Sequence, residues 1–355
     1  MLLIAYLMAV ILGFLIQKSK LLASYQLLII FIIVGLNTGG MDFNIYEILF
    51  DIYRGKNSVI IENEFIYYNL MGFFGDLDYD FIFFNAIMTF LIVIIMFYFI
   101  NKYAKRKSLA LSLFLIYPFF DMAIQKRNFL AFAIFLLAID VILEHKKNWK
   151  FKYIIFTLIA SMIHSSFLIY LFVLIIIDLN KSRQLKVIST IIVGEILLLP
   201  ILPQLIGPFF SNQKIDLYFY NSTSNISLST SIGYILIHLF LYLIFNQFFI
   251  STKNDSRLYS VANIFNNFCL IVMPLYLYGS NFIRIYRNLF LFLFIATTTE
   301  LIITNNNKIR VKPLTITLIQ ICFLIIINLF FYFIGGNIPY TETIVPLFTN
   351  NVIVN

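Results

Sequence analysis

The sequence predicts an all-α polytopic integral membrane protein with about 11–12 transmembrane helices. Of its 355 residues, 61% are hydrophobic and only 12% are charged. Apolar runs recur from one end of the chain to the other, and basic residues gather in the short segments between them. No polar segment is long enough to form a separate soluble domain, so we expect a single transmembrane domain over residues 1–355. The net charge is +8, and the distribution of the basic residues between loops indicates orientation in a bilayer. Nucleic acid is therefore not an expected partner.

The apolar runs define the predicted spans in order. The first run is expected to remain in the mature chain, because its basic cluster follows the run, whereas a cleavable signal has basic residues before it. Several of the runs are shorter than the roughly 20 residues of a straight crossing helix, and we expect those at 108–120 and 128–143 to extend with their flanks or to pack inside the bundle. The predicted spans are residues 2–16, 20–36, 80–100, 108–120, 128–143, 153–178, 187–203, 231–250, 258–279, 288–303 and 314–335.

The positions of Lys and Arg predict the orientation of these spans. If every run crossed once, Lys181, Arg183 and Lys186 would lie outside, against the positive-inside trend. Dividing the run at 153–178 into two short helices, with a turn at His164, leaves 18 of the 25 basic residues in the inner loops. Both chain termini are then outside. The alternative is one long tilted helix with His164 in the middle of the membrane.

In this topology the outer face carries two long loops, at residues 37–80 and 204–230. The first loop holds eight of the 17 carboxylates in the chain. Its Gly39-Gly40 pair predicts a tight turn, and Asp42, Tyr46 and Phe50 then recur at a helical spacing of four. Lipid-facing surface does not need such a pattern, whereas a site at the membrane surface could use it.

Three arginines are expected on the outer face, namely Arg127, Arg284 and Arg287. Arginine beside an apolar span is costly unless it is paired or wetted, and its planar fork suits phosphate. The alternative is that these side chains snorkel to the interface or pair with Asp121 or a loop carboxylate. The outer location favours an anion site.

Candidate proton acceptors lie on the same face. They are Asp42, His164 at the predicted turn, and Glu64, which with Glu62 precedes an aromatic stretch. Partial burial raises the pKa of a carboxylate toward the ambient pH, where it works best as a general base. The alternative is that these acids are solvated loop charges. The sequence has no zinc-type spacing and no phosphate-binding glycine loop, so no metal or cofactor is expected. Cys269 and Cys322 lie in apolar runs and are expected to be buried thiols.

Four short motifs in order resemble the EpsG/Wzy-type family of bacterial polysaccharide polymerases. Gly40 to Tyr46 is similar to the family's G-x-D-x-x-x-Y, and Glu64 to Tyr67 to its E-x-x-Y. Arg127 to Ala131 resembles its R-x-x-(L/I)-A helix start, and Ile163 to Ser166 its I-H-x-S turn. The set covers roughly residues 30–300. Relatives often carry an arginine shortly before the glycine–aspartate element, where this chain has Gly35-Leu36-Asn37, so a role for that arginine is not carried over.

The resemblance implies a GT-C-like helical polymerase bundle in the bacterial plasma membrane, with its active site on the outer side. The expected reaction moves a growing glycan from undecaprenyl pyrophosphate to a lipid-linked repeat unit, so the partners are that lipid-linked oligosaccharide, membrane lipid, and assembly proteins such as a flippase or a chain-length regulator. We expect Asp42, Glu64 and His164 to be catalytic, with Asp42 ranked first as essential. We expect the substrate to be bound by Arg127, Arg284, Arg287, Tyr46 and Tyr67.

Other functions remain open at this point. A ligase-like transferase of lipid-linked sugars would have a similar architecture. A transporter of lipid-linked oligosaccharide is a different class, but transporters often show internal repeats and charges at the midplane, which this sequence lacks. A structural scaffold would not need the outer set of arginines and carboxylates.

Overall fold

The computed structural model describes residues 1–55, 64–206, 228–251, 256–299, 313–329 and 340–354. Helices make up the regular secondary structure of these residues, and the β-type pairing within them is an isolated bridge between Asn37 and Asn351. The predicted all-α class is therefore confirmed. Glu62 and residues 207–227 of the second predicted loop lie outside the described residues.

The helices follow the predicted spans closely. In chain order the α-helices are α1 (Leu2–Leu15), α2 (Lys20–Gly35), α3 (Met41–Tyr53), α4 (Phe65–Asp76), α5 (Phe81–Tyr103), α6 (Lys107–Ile116), α7 (Phe119–Ile124), α8 (Lys126–Glu144), α9 (Trp149–Ile163), α10 (Val173–Ile176), α11 (Lys181–Leu198), α12 (Leu202–Ile206), α13 (Leu228–Ser251), α14 (Arg257–Phe268), α15 (Ile283–Arg287), α16 (Phe290–Thr299), α17 (Pro313–Leu329), α18 (Tyr340–Thr343) and α19 (Val345–Thr349). Short 3₁₀ helices occupy Ser165–Phe172, Leu199–Ile201, Cys269–Leu277 and Ser280–Phe282.

Four helical segments in the described part of the chain are long and apolar enough to cross a membrane: Phe81–Tyr103, Lys181–Ile201, Leu228–Asn246 and Arg257–Leu277. Five shorter apolar helices accompany them, among them α1 and α2. Large apolar side chains such as Phe90 and Leu197 are exposed on the helix surfaces, as expected for lipid-facing positions. The protein is thus a polytopic helical membrane protein, and the count of 11–12 crossings stays a prediction.

The chain forms two compact units. The first comprises Met1–Leu168 with Phe294–Asn355, and the second comprises Ile169–Leu293. The prediction of a single transmembrane domain over residues 1–355 is not tested by this division and stays a prediction.

In the first unit, buried polar side chains join neighbouring helices. Gln26 on α2 donates to the backbone oxygens of Ala9 and Ser108, at 2.9 and 3.1 Å, and to Ser112 Oγ at 2.8 Å. A Cβ at Gly13 would lie 2.0 Å from Ser112 Oγ, so only glycine allows this close approach. Small residues and interhelical hydrogen bonds are the usual means of packing helices in lipid, because the hydrophobic effect does not drive helices together there.

Residues 37–80 differ from the predicted polar loop, because they contain α3 and α4. Both helices bury an aromatic face: Phe50 and Tyr67 are almost fully buried against α5 residues such as Phe84. The polarity of the stretch hid these helices, since its acids lie mostly on the exposed side. The described parts of the segment are therefore packed against α5.

The helix is interrupted at His164, as the two-helix interpretation of residues 153–178 requires, while the reversal of direction at that point stays a prediction. Helix α9 ends at Ile163, His164 is extended with φ −147° and ψ 114°, and a 3₁₀ helix begins at Ser165. The histidine thus lies at a change of helix type rather than in the middle of one long helix.

The second unit has its own buried polar core. His238 Nδ1 lies 2.6 Å from the hydroxyl of Tyr276, and the histidine ring stacks on Tyr286 with centroids 4.2 Å apart. Tyr286 in turn donates to Asn266 Oδ1 at 2.6 Å, which ties α15 to α14. Cys269 is buried as predicted, but the prediction for Cys322 is wrong, because its helix α17 exposes that position on an apolar surface.

Candidate active site

The start of α3 is shaped by glycine. Gly40 has φ 118° and ψ 164°, a conformation that L-residues rarely adopt, and it precedes the first helical residue. Asp42 then lies in the first turn, where a carboxylate interacts favourably with the helix dipole. One and two turns later, Tyr46 and Phe50 are buried on the same side. The helical pattern predicted from the spacing of four is confirmed.

Glu64 occupies a strained and buried position. It precedes α4 in the left-handed region, with φ 70° and ψ 28°, and it is only 4% exposed. A non-glycine residue held there costs about 1–3 kcal/mol and persists only when its surroundings enforce it. The contacts of its carboxylate supply that enforcement.

The Glu64 carboxylate joins three segments. Oε2 accepts from Arg127 Nη1 at 2.7 Å, while Oε1 accepts from the backbone N–H and the hydroxyl of Ser165, at 3.0 and 3.1 Å. His164 Nδ1 lies 3.5 Å from the same Oε1. The carboxylate therefore caps the backbone N–H that the break at His164 releases, and it links this turn to the start of α8.

Arg127 is held from several sides. Its Nη1 also donates to the hydroxyl of Tyr68, and its guanidinium carbon lies 5.6 and 5.4 Å from the ring centres of Tyr46 and Tyr68. Burial alone would lower the pKa of Arg127, but Tyr46, Glu64 and Tyr68 favour the charged form more strongly, so that the pKa is raised. Burial raises the pKa of Tyr68 to about 12, with Arg127 opposing the shift. Arg127 is thus a permanent cation with a fixed orientation.

His164 is buried beside this ion pair, at 7% exposure. The backbone N–H of Ser166 donates to its Nδ1 at 3.4 Å, and the Ser166 hydroxyl lies 3.3 Å from the same atom. An Nδ1 that accepts a hydrogen bond assigns the proton of the neutral ring to Nε2. A protonated His164 would instead place a charged Nδ1–H beside Glu64.

The predicted substrate-binding tyrosines have different surroundings. Tyr46 faces Arg127, whereas Tyr67 is 1% exposed and packs edge-on against Tyr46 at 6.0 Å and against Phe84 at 5.5 Å. In this conformation Tyr67 supports the ring of Tyr46. Contact of either tyrosine with substrate stays a prediction.

Asp42 lines a pocket beside the Glu64 and Arg127 pair, in the same unit. The space in and in front of this pocket, counting its opening to solvent, is about 290 Å³. Lys126, the neighbour of Arg127, is 6% exposed, and its Nζ lies 5.4 Å from the centre of the Phe43 ring. Burial lowers the pKa of Lys126 to about 7, with the Asp42 carboxylate opposing the shift. The pocket is lined by Asn37, Gly39, Gly40, Asp42, Phe43, Ala123, Ile124, Lys126, Glu342, Thr343 and Leu347.

The second unit contains Arg284 and Arg287, both on α15. Arg284 donates from Nε to the backbone oxygen of Asn281 at 2.8 Å and from Nη2 to its side-chain oxygen at 3.0 Å. Arg287 is buried at 5% exposure. Their predicted action together with Arg127 stays a prediction.

The structure therefore brings Asp42, Tyr46, Glu64, Arg127 and His164 into one region of the first unit. It adds residues to which the sequence assigned no role, namely Tyr68, Lys126, Ser165, Glu342 and Thr343. Lys126 carried the strongest overlooked signal, since a second cation precedes Arg127 directly in a chain with few charges. Nothing in the sequence indicates that residues near 342 meet those near 42.

One protein-family model, described as the EpsG family, matches residues 20–342. The chain belongs to the EpsG family. No curated protein and no solved structure matches it significantly. The EpsG match begins with α2, ends within α18 and includes Asp42, Glu64, Arg127 and His164, while Thr343 and Leu347 of the pocket lie just beyond it. Membership of the EpsG family supports a polysaccharide-polymerase type of function in a multi-pass membrane protein.

Proposed function

We propose that this EpsG-family protein is a glycosyltransferase that polymerises polysaccharide repeat units. It transfers a growing glycan from undecaprenyl pyrophosphate to a lipid-linked repeat unit at the outer face of the bacterial plasma membrane. The observation that carries the proposal is the oriented, partly buried Arg127, held by Glu64 and Tyr68 beside a pocket that contains Asp42. A flippase and a chain-length regulator are the partners such a polymerase would work with.

The reaction has two chemical requirements. A hydroxyl oxygen of the acceptor sugar forms a bond to the anomeric carbon of the donor, while the bond from that carbon to the pyrophosphate oxygen breaks. The departing pyrophosphate gains negative charge, which a fixed cation stabilises most when it is already oriented. The acceptor hydroxyl loses its proton, which a positioned base accepts in the transition state.

Arg127 meets the first requirement. Guanidinium forms paired, charge-assisted hydrogen bonds to phosphate oxygens, and its side chain keeps 24% of its surface exposed. Glu64 and Tyr68 hold one of its terminal nitrogens, so less conformational freedom is lost when the guanidinium binds.

Asp42 is the better candidate for the second requirement. Both oxygens of Glu64 already accept hydrogen bonds from protein donors, which leaves little capacity for a substrate proton. Glu64 is therefore assigned as a positioning residue for Arg127 and for the His164 turn. Asp42 faces the pocket. To His164, which lies next to Glu64, we assign a contact with the phosphate or with a sugar hydroxyl.

The predicted topology is consistent with the contacts inside the first unit. Residues assigned to the outer side contact one another, as Glu64 does Arg127 and Asn37 does Asn350. Residues assigned to the inner side do the same, as Arg106 does Gln17 and Lys102 does Glu144. This agreement supports placing the site residues on one side of the membrane, and the excess of basic residues in the other set of loops makes that side the outer one in this proposal.

The test uses purified protein in liposomes with radiolabelled lipid-linked repeat units, extracted from cells of the source bacterium that lack this protein. We expect a ladder of products that grow by whole repeat units. Transfer to a different acceptor without chain growth would instead indicate a ligase-like enzyme. Movement of repeat units across the bilayer without transfer would indicate a transporter, and either result would overturn the proposal.

A further inference from the structure

The C-terminal segment, residues 340–354, folds back onto the beginning of α3. Asn37 Nδ2 donates to the backbone oxygens of Pro346 and Asn350 at 3.2 and 3.0 Å, and the Thr38 N–H donates to Asn350 at 2.9 Å. Asn351 Nδ2 donates to the backbone oxygen of Ile32 at 2.7 Å. More than 300 residues of sequence separate these partners. The segment is thus fixed by several hydrogen bonds at the end of α2.

The Gly39-Gly40 pair makes room for this segment. A Cβ at Gly39 would lie 2.5 Å from Asn350 Nδ2, and one at Gly40 would lie 3.3 Å from Pro346 Cβ. The absence of side chains at these two glycines therefore allows the C-terminal segment to pack closely, in addition to allowing the turn before Asp42.

The segment contributes a wall to the Asp42 pocket through Glu342 and Thr343. The lining also includes Asp42, Lys126 and the Phe43 ring. The described pocket thus offers two carboxylates, one buried amine, one hydroxyl and an aromatic ring. With two acids against one lysine, its charge is unsuited to a pyrophosphate and is compatible with an uncharged sugar.

We propose that this pocket is the subsite for the terminal sugar of the acceptor, and that the C-terminal segment is one of its walls. The inference rests on the proposed polymerase function and deepens it. Carboxylates and an amine bind sugar hydroxyls as acceptors and donors, and Phe43 provides an apolar surface for a sugar face.

The two neighbouring cations, Lys126 and Arg127, belong to different parts of the proposed site. Arg127 lies with Glu64 and His164 at the proposed phosphate site, while Lys126 points to Asp42 and Phe43 in the sugar pocket. Lys126 also donates weakly to the Val34 backbone oxygen, at 3.4 Å, which keeps its amine at the pocket floor. Donor and acceptor would thus be held by consecutive residues at the start of α8.

The first experiment measures acceptor kinetics at a fixed concentration of labelled lipid-linked donor. The acceptor is the repeat-unit oligosaccharide released from its lipid by mild acid, so that it brings no pyrophosphate. We expect Glu342→Gln and Thr343→Val each to raise its KM about tenfold, the loss of one hydrogen bond to a bound ligand, with a smaller change in kcat. Thr341→Ala is the matched control, because Thr341 is exposed in the same segment and does not line the pocket.

The second experiment measures binding without turnover. In a Cys322→Ser background, Thr343→Cys is labelled with a maleimide in the presence of the same oligosaccharide, with Thr341→Cys as the control. We expect the oligosaccharide to protect position 343 and to leave position 341 reactive. Cys269 is buried and does not compete for the label.

The outcomes separate this inference from the proposed function. If the unaltered protein transfers sugar while both pocket variants keep its KM and position 343 is unprotected, the acceptor subsite is wrong and the polymerase stands. If the unaltered protein transfers nothing, the polymerase is wrong, and the acceptor subsite that depends on it is overturned as well.

Discussion

The two ends of helix α8 each carry an ion-pair cluster, and the clusters differ in kind. At its start, Arg127 joins Glu64, Tyr68, His164 and Ser165, which we call the Glu64 cluster. Near its end, Asp140 and Glu144 bind Lys102 of α5, each at 2.7 Å, together with Tyr98 and Tyr103, which we call the Lys102 cluster.

The Lys102 cluster is a partly exposed interhelical salt bridge between α5 and α8. Its lysine and both carboxylates keep part of their surface exposed, and two acids satisfy a single ammonium. The left-handed residue there is His145, directly after the helix, where such a conformation is a common helix stop. Nothing in its geometry requires a ligand.

The Glu64 cluster is buried and strained. The Glu64 side chain is 3% exposed, its backbone is left-handed before a helix rather than after one, and a pocket lies beside it. Buried ion pairs contribute little net stability, because desolvation offsets their attraction. The comparison shows that similar charged groups link two helices at one end of α8 and hold an oriented arginine at the other.

The largest expected effect tests whether the two ends face opposite sides of the membrane. In intact cells, in a Cys322→Ser background, we expect a membrane-impermeant maleimide to label Asp78→Cys and not Lys147→Cys. The expected difference in labelling between the two positions is all-or-none. Asp78 is highly exposed on the side of the Glu64 cluster. Lys147 and Arg183 should share one face. Labelling of cysteines at 147 and 183 from opposite faces would contradict the two-helix interpretation of residues 153–178.

The next effect compares the two cations. Arg127→Ala should lower the polymerisation rate about 100-fold or more, the scale seen when one preoriented charge-stabilising donor is removed. Arg127→Lys should also be impaired, because an ammonium lacks the fork geometry. Lys102→Met is the matched control and should keep most activity. Polymer yield is normalised to protein level, and normal chain growth by Arg127→Ala would remove this residue from the site.

The third effect separates two carboxylates within the site. Glu64→Gln breaks a buried ion pair, which is expected to cost about 3–5 kcal/mol, so stability and activity should fall together. Asp42→Asn should lower activity with little change in melting temperature. Both are measured on purified protein across a pH series. If Asp42→Asn keeps full activity while Glu64→Gln folds normally and is inactive, the base is Glu64.

The smallest effect concerns Lys126 and pH. Burial lowers the pKa of Lys126 to about 7, from an ordinary value of 10.5, so between these values the unfolded chain binds more protons than the folded one. Stability should therefore rise with pH from about 7 to about 10 and be flat with respect to this group below 7. In Lys126→Met this rise should be weaker, by about 2 °C or more in melting temperature. Lys147→Met, on the opposite predicted face, is the control, and an identical pH slope in both variants would contradict the assignment.

Much of the fold followed from local sequence. Helix α5, the helix start at Arg127 and the break at His164 were predictable because apolar length, charge position and a polar turn are properties of neighbouring residues. The helices inside residues 37–80 were missed as packed elements, because their acids concealed aromatic faces that become recognisable only against α5. The exposure of Cys322 was mispredicted because an apolar run does not distinguish a protein-facing from a lipid-facing side.

The sequence by itself determined the class of the protein, the order of its helices and four short motifs that carry Asp42, Glu64, Arg127 and His164. Only the tertiary structure decided which of these residues meet. It joined Glu64 to Arg127 and to the His164 turn, placed Lys126 with Asp42, and brought Glu342 to the same pocket from the other end of the chain. The physical reason is that helix formation and hydropathy depend on adjacent residues, whereas a buried carboxylate is satisfied by donors from distant segments, and sequence spacing carries no record of that pairing.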